Sequence, residues 1–176
     1  MNKQELKILQ VLDAIARQES VSVIINSIVV RVERKLTQDF GALLTWEPVP
    51  LATYGGRLPN MIRSSWVFVV RAQVNTGAER HPNSCQRMMS YRGSGDLQMW
   101  AGGRWRSNLL VSDSEARIKS RWLSIPPNIW HRVVLPKENW VVLSFHTVPE
   151  DELIEERPDP TDTKLTHQRR YLDKQK

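Results

Sequence analysis

RHPNSCQRMMSYRG, residues 80–93, places a histidine, an asparagine, a cysteine and a glutamine within six positions at the head of an apolar run. A second stretch, IPPNIWHRVV at 125–134, sets another histidine just after a proline-rich turn. Residues two apart in an extended chain share a face, so His81 and Asn83 point the same way, and Cys85 joins them if alternation is strict. Gln86 joins them only after an irregularity, which Pro82 supplies near a strand entrance. His131 opens the run RVVL. In WVVLSFHTV the alternation puts Trp140, Val142, Ser144 and His146 on one face.

Outward from these stretches the chain from residue 41 to 149 is a succession of short apolar, branched and aromatic runs. They include WVFVVRAQV, QRMMSYRG, GDLQMWAGGRW, NLLVSD, EARIKSRWLSI and RVVLP, separated by glycine, proline, asparagine and aspartate. No long helical pattern interrupts them. Short antiparallel strands must each bury one face, and a sandwich or small barrel does so. The fold expected here is all-β.

Residues 1–40 differ. Ile8, Leu9, Leu12, Ile15 and Ala16 recur at helical spacing between Leu6 and Ala16. VSVIINSIVVRVERKL, from Val21, has the β-branched content of a strand, yet its length and the spacing of Ile24, Ile28, Val32 and Leu36 fit a helix. Both readings are open, and the helical one is taken. The segment 1–40 is thus a mostly helical extension covering a face of the barrel or of a partner. The tail, 150–176, has nearly balanced charges, and ERPDPTDTK resists regular structure. It is expected to wrap the surface with a helical turn near PEDELIEE and another near the end.

The formal charge is +6, and eight arginines against Glu79 and Asp96 between Arg57 and Arg106 account for it. They form no run, so a nucleic-acid partner is not favoured. If they surround a pocket, an anionic ligand is. A single cysteine excludes an internal disulfide and a thiolate-rich zinc site. The absence of a secretion-signal pattern or a long apolar span in this sequence leads to the expectation of a cytoplasmic protein with no membrane contact.

GAERHPNSCQRMMSYRG and PPNIWH together resemble the two conserved blocks of the cupin superfamily. His81 matches the first histidine of the first block, Asn83 stands at the second, Gln86 takes roughly the place of the glutamate, and Gly93 supplies the closing glycine. In the second block Pro126 and His131 match, and Asn128 replaces a glycine. The first block is therefore degenerate. The resemblance spans about residues 42–148 and implies a double-stranded β-helix, the cupin-type jelly-roll barrel. It also implies a divalent metal (iron, zinc, manganese or nickel, or none) on His81, Gln86 and His131, with Asn83, Cys85 and His146 as further ligands or pocket lining. The function implied is a metal-dependent enzyme, dioxygenase-like or a lyase or isomerase, on a small anionic, oxygen-rich molecule. The other reading is a non-catalytic ligand-binding or assembly protein. Exposed barrel edges and the N-terminal helices point to a homodimer.

Overall fold

The computed structural model describes residues 2–134, 136–159, 161–162 and 165–172. Helix α1 (Lys3–Ala16) starts where the Asn2 side chain accepts the Glu5 N–H at 2.8 Å. The ambiguous valine–isoleucine segment is helix α2 (Glu19–Gln38). The modest helical penalty of β-branched residues is outweighed by a stripe of Val21, Ile25, Ile28, Val29, Val32 and Leu36, all buried. Ile24, expected on that stripe, is 41% exposed, and Ile25 takes its place.

The strands are β1 (Leu44–Pro48), β2 (Ser64–Val70), β3 (Gln86–Arg92), β4 (Ser94–Ala101), β5 (Arg104–Arg106), β6 (Leu109–Val111), β7 (Trp122–Ile125), β8 (His131–Val134), β9 (Trp140–His146), β10 (Ile154–Pro158) and β11 (Thr166–Arg170). A one-turn helix α3 (Ile118–Arg121) precedes β7. The first sheet runs β1-β2-β9-β3-β7 with antiparallel neighbours. In the second, β4 carries β5 and β6 on one edge and β8 on the other, since Asp96 pairs with both Leu109 and Val134. Isolated bridges Glu79↔His131 and Arg80↔Glu156 then link β8 through the 79–80 segment to the β10–β11 ribbon. The result is the expected two-sheet, antiparallel jelly-roll barrel with N-terminal helices. No helix is long and apolar enough to cross a membrane among the described residues.

Every position of β2 and β9 is buried. Val67, Val69, Val141, Leu143 and Phe145 face the helical stripes. Trp66, Phe68, Val70, Trp140 and Val142 face inward against Leu97, Leu110 and Val133 of the second sheet. Burial on both faces explains why these strands read as continuous apolar runs instead of alternating. Asp13 fastens α1 to the sheet: its Oδ1 accepts Arg121 Nη1 at 2.7 Å and the Trp122 indole N–H at 2.8 Å.

The tail corrects an expectation. It is a β-ribbon, not an irregular wrap; only Glu150–Glu152 forms the helical turn expected near PEDELIEE. Of the turn expected near the chain end, residues 171 and 172 are helical, and the remainder lies outside the described residues. All five residues of β11 are exposed, so backbone pairing with β10, and not side-chain burial, makes it a strand.

Gly95 is required by packing. A Cβ there would lie 2.3 Å from Cε3 of the fully buried Trp140. Gly95→Ala should cost at least ~1–3 kcal/mol through forced repacking, read as a lower urea midpoint at unchanged slope.

Candidate metal centre

The two sequence blocks meet through their backbones. Glu79 and His131 exchange both peptide hydrogen bonds, at 2.9 and 2.8 Å. As directly opposed residues they project to the same side, which here is the barrel interior. His81, two residues beyond Glu79, shares that face. The Asn128 N–H donates to the His81 carbonyl at 3.1 Å, closing the PPN turn against the first block. Asn128 has φ 64°, the left-handed conformation that favours glycine and tolerates asparagine.

His81 and His131 are 3% and 2% exposed, with ring centroids 5.5 Å apart. His81 Nδ1 lies 2.8 Å from the Ile154 carbonyl, and His131 Nδ1 lies 3.0 Å from that of Ile129. A ring nitrogen beside a carbonyl must donate, so in the neutral form each ring keeps its lone pair on Nε2. Burial, with the neighbouring His131, lowers the His81 pKa from 6.5 to about 4, so His81 is uncharged at neutral pH.

Glu79 completes a cluster that the sequence reading missed. One ligand atom from each of Glu79, His81 and His131 lies within 4.8 Å of the others. Glu79 Oε1 is 3.6 Å from His131 Nε2, and Arg157 from β10 holds Oε2 at 2.5 Å. The available signal was the Glu-x-His spacing of residues 79–81, one strand repeat upstream of the histidine that begins the matched motif.

Gln86 faces the same cavity. Its Nε2 donates to Ser144 Oγ at 3.2 Å, while its Oε1, like His131 Nε2, is buried without a hydrogen-bond partner among the described residues. His146 lies on the face that alternation gave it and packs edge-on to His81 at 5.2 Å. Both its ring nitrogens already meet serine hydroxyls: Nδ1 to Ser84 at 3.3 Å and Nε2 to Ser144 at 3.1 Å. It steadies Ser144, and through it Gln86. Burial, then His81 and His131, hold its pKa well below the ordinary value.

Two expected pocket residues lie elsewhere. Residues 82 and 83 form a turn that breaks the alternation counted from His81. Asn83 is exposed, and its amide is spent on the tail: Nδ2 donates to the Glu152 carbonyl at 2.7 Å and Oδ1 accepts the Ile154 N–H at 3.2 Å. Cys85 lines a separate cleft with Glu5 and Trp122, and burial raises its thiol pKa.

None of the arginines between Arg57 and Arg106 lines the chamber. Arg80 pairs with Glu156 at 2.6 Å, Arg87 with Glu5 at 2.7 Å and Arg92 with Glu33; Arg71 donates to the carbonyls of Leu36, Asp39 and Ala42. Arg132 lines the cavity, with its guanidinium on Gln98 and stacked 4.2 Å over Trp105. The basis for an anionic ligand is therefore weakened. The space left inside is about 20 Å³, room for one water or one ion and not for an organic molecule.

No protein-family model matches the chain, and no curated protein matches it. Among solved structures it is similar to a pumpkin seed globulin, at 17% identity and TM-score 0.49 over 65% of this chain and 28% of that one. It is also similar to an oxalate oxidase in complex with the substrate analogue glycolate, at 12% and 0.46 over 61% of this chain and 52% of that one. An oxalate decarboxylase of Lactobacillus farciminis gives 12% and 0.46 over 61% and 29%. The chain spans about half or less of the length of these three proteins.

With a folded-state pKa near 4 against 6.5, the unfolded chain takes up the His81 proton first as pH falls. The contribution of His81 to stability is therefore complete above about pH 6.5 and is lost towards pH 4. Urea midpoints of metal-free protein should drop across this window, and drop less steeply in His81→Gln. Equal slopes would contradict a buried, neutral His81.

Proposed function

We propose that this cupin-type jelly-roll barrel holds a divalent metal ion on Glu79, His81 and His131, with the Gln86 amide oxygen as a neutral fourth donor. We further infer that it acts as an enzyme on a small oxygen-bearing molecule, by dioxygenase-like, lyase or isomerase chemistry. The observation that carries the reading is the pair of buried acceptors, His131 Nε2 and Gln86 Oε1, with no hydrogen-bond donor among the described residues. Leaving such a group unsatisfied costs about 1–3 kcal/mol, and a cation receiving both lone pairs offsets that. Two imidazoles, a carboxylate and an amide oxygen suit iron, manganese, nickel or zinc. When bound, such an ion supplies Lewis acidity, and a redox-active one supplies electron transfer.

The residues of the chain do the positioning. The carbonyls of Ile154 and Ile129 hold the two imidazoles in the tautomer that presents Nε2. Arg157 engages one oxygen of Glu79 and leaves the other beside His131. His146 and Ser144 fix the Gln86 amide. The second reading, a non-catalytic ligand-binding or assembly protein, is favoured by one observation: the remaining void of about 20 Å³ has no room for a substrate.

Untagged protein, stripped of metal and titrated with iron(II), manganese, nickel and zinc salts, should bind one equivalent of at least one of them. Affinity should fall more than tenfold in His81→Ala, in His131→Ala and in Glu79→Gln, and stay unchanged in Cys85→Ser. A folded wild type that takes up none of the four would overturn the enzyme and leave the non-catalytic reading.

A further inference from the structure

Beyond β11 the chain turns into the barrel. Tyr171 is 2% exposed and lines the central cavity together with Glu79, His81, Gln86 and His131. Its ring sits in an aromatic cage: 5.1 Å from Trp46 at 50°, 5.5 Å from Trp66 at 61° and 6.1 Å from Phe68 at 81°. Tilted and edge-on contacts at these separations are the favourable arrangements for aromatic pairs. The His81 ring is 6.1 Å away. Charges of Glu79, Glu155, Arg157 and Arg169 act on the phenol. Trp46 and Trp66 belong to the first sheet, whereas Tyr171 arrives on a ribbon outside the two barrel sheets.

We propose that this cage is a binding site for a phenolic small molecule, and that Tyr171 occupies it in cis, so that ligand and C-terminal ribbon compete for one space. This names the ligand class for the chamber described above. It rests on reading that chamber as a ligand site, but not on the metal. A phenol in place of the Tyr171 ring meets the same three aromatic walls, lies beside His81, and needs no anionic group, in keeping with arginines that pair elsewhere. It also accounts for the missing substrate volume.

Competition requires only the β11 end of the ribbon to leave. β10 stays anchored: its Ile154 carbonyl meets His81 Nδ1 at 2.8 Å, its Glu156 exchanges both peptide hydrogen bonds with Arg80, and its Arg157 holds Glu79 at 2.5 Å. All five residues of β11 are exposed, and backbone pairing with β10 holds the strand. Tyr171 and the buried Leu153 are the apolar hold, joined by the Tyr171 N–H to Leu153 carbonyl bond at 2.8 Å. A tethered competitor acts at an effective concentration on the order of millimolar, which weakens a free ligand without abolishing its binding.

The probe is p-cresol, the tyrosine side chain as a free molecule, with toluene as the ring lacking the hydroxyl. Both are titrated by calorimetry into metal-stripped wild type and Tyr171→Ala. We expect 1:1 binding of p-cresol, at least tenfold tighter in Tyr171→Ala, and toluene at least tenfold weaker than p-cresol in both proteins. In wild type, p-cresol should also speed tryptic cleavage after Arg169 and Arg170 severalfold, as the β11 end of the ribbon is released. Saturation of wild type by p-cresol with no change in that cleavage overturns the proposal, as does equal binding of toluene. Absence of p-cresol binding to folded Tyr171→Ala does the same. If Tyr171→Ala does not fold, Tyr171→Leu and the wild-type cleavage assay decide by the same criteria. Because metal is absent throughout, failure here leaves metal uptake standing, and loss of metal uptake leaves phenol binding to be judged on its own.

Discussion

The five-stranded sheet is buried on both faces, and the rest of the molecule follows from that. A sheet so placed needs an apolar layer on each side. The stripes of α1 and α2 provide one, and the second sheet provides the other. With its outer face sealed by helices, the inner face can carry polar groups in a dry interior. They collect at one end: Gln86 at the start of β3, and Ser144 and His146 at the end of β9, opposite the strand that carries His131. Trp140 and Val142 hold the other end of β9 apolar. The site is thus a consequence of register, since Gln86 lies directly across from His146.

The C-terminal ribbon is a working part of this arrangement. Its backbone supplies the carbonyl that sets the His81 tautomer, and Arg157 supplies the guanidinium on Glu79. Both groups act on a candidate ligand from behind, the place where outer partners orient metal-binding side chains. The ribbon also contributes the ring that fills the cavity. One segment therefore shapes the site chemically and closes it sterically.

Much of this was legible in the letters. The succession of short strands, the inward row ending in His146 and the tolerance of Asn128 for a left-handed position follow from strand periodicity and backbone preference, whereas the convergence of His81 with His131 is legible only through the resemblance of the two blocks. Glu79 lies outside the motif that begins at His81, although the same two-residue repeat reaches backward to it. Strict alternation from His81 puts Asn83 and Cys85 in the pocket, and the turn at residues 82 and 83 interrupts it. Two elements lay beyond local patterns altogether. The ribbon carries no apolar alternation, because pairing with β10 alone forms β11. Tyr171 looks like one aromatic residue in a polar tail, and only the tertiary path shows it entering the core.

The central pair β2–β9 joins residues 64–70 to residues 140–146. Such distant partners carry a large loop-closure entropy and make for slow folding. During synthesis α1 and α2 leave the ribosome before the barrel, with apolar stripes whose cover includes, besides Val67 and Val69 of β2, the β9 residues Val141, Leu143 and Phe145. The β9 residues are among the last of the barrel to be made. The nascent helices thus wait through most of translation with their stripes incompletely covered, an interval in which a chaperone or a neighbouring chain can bind them first.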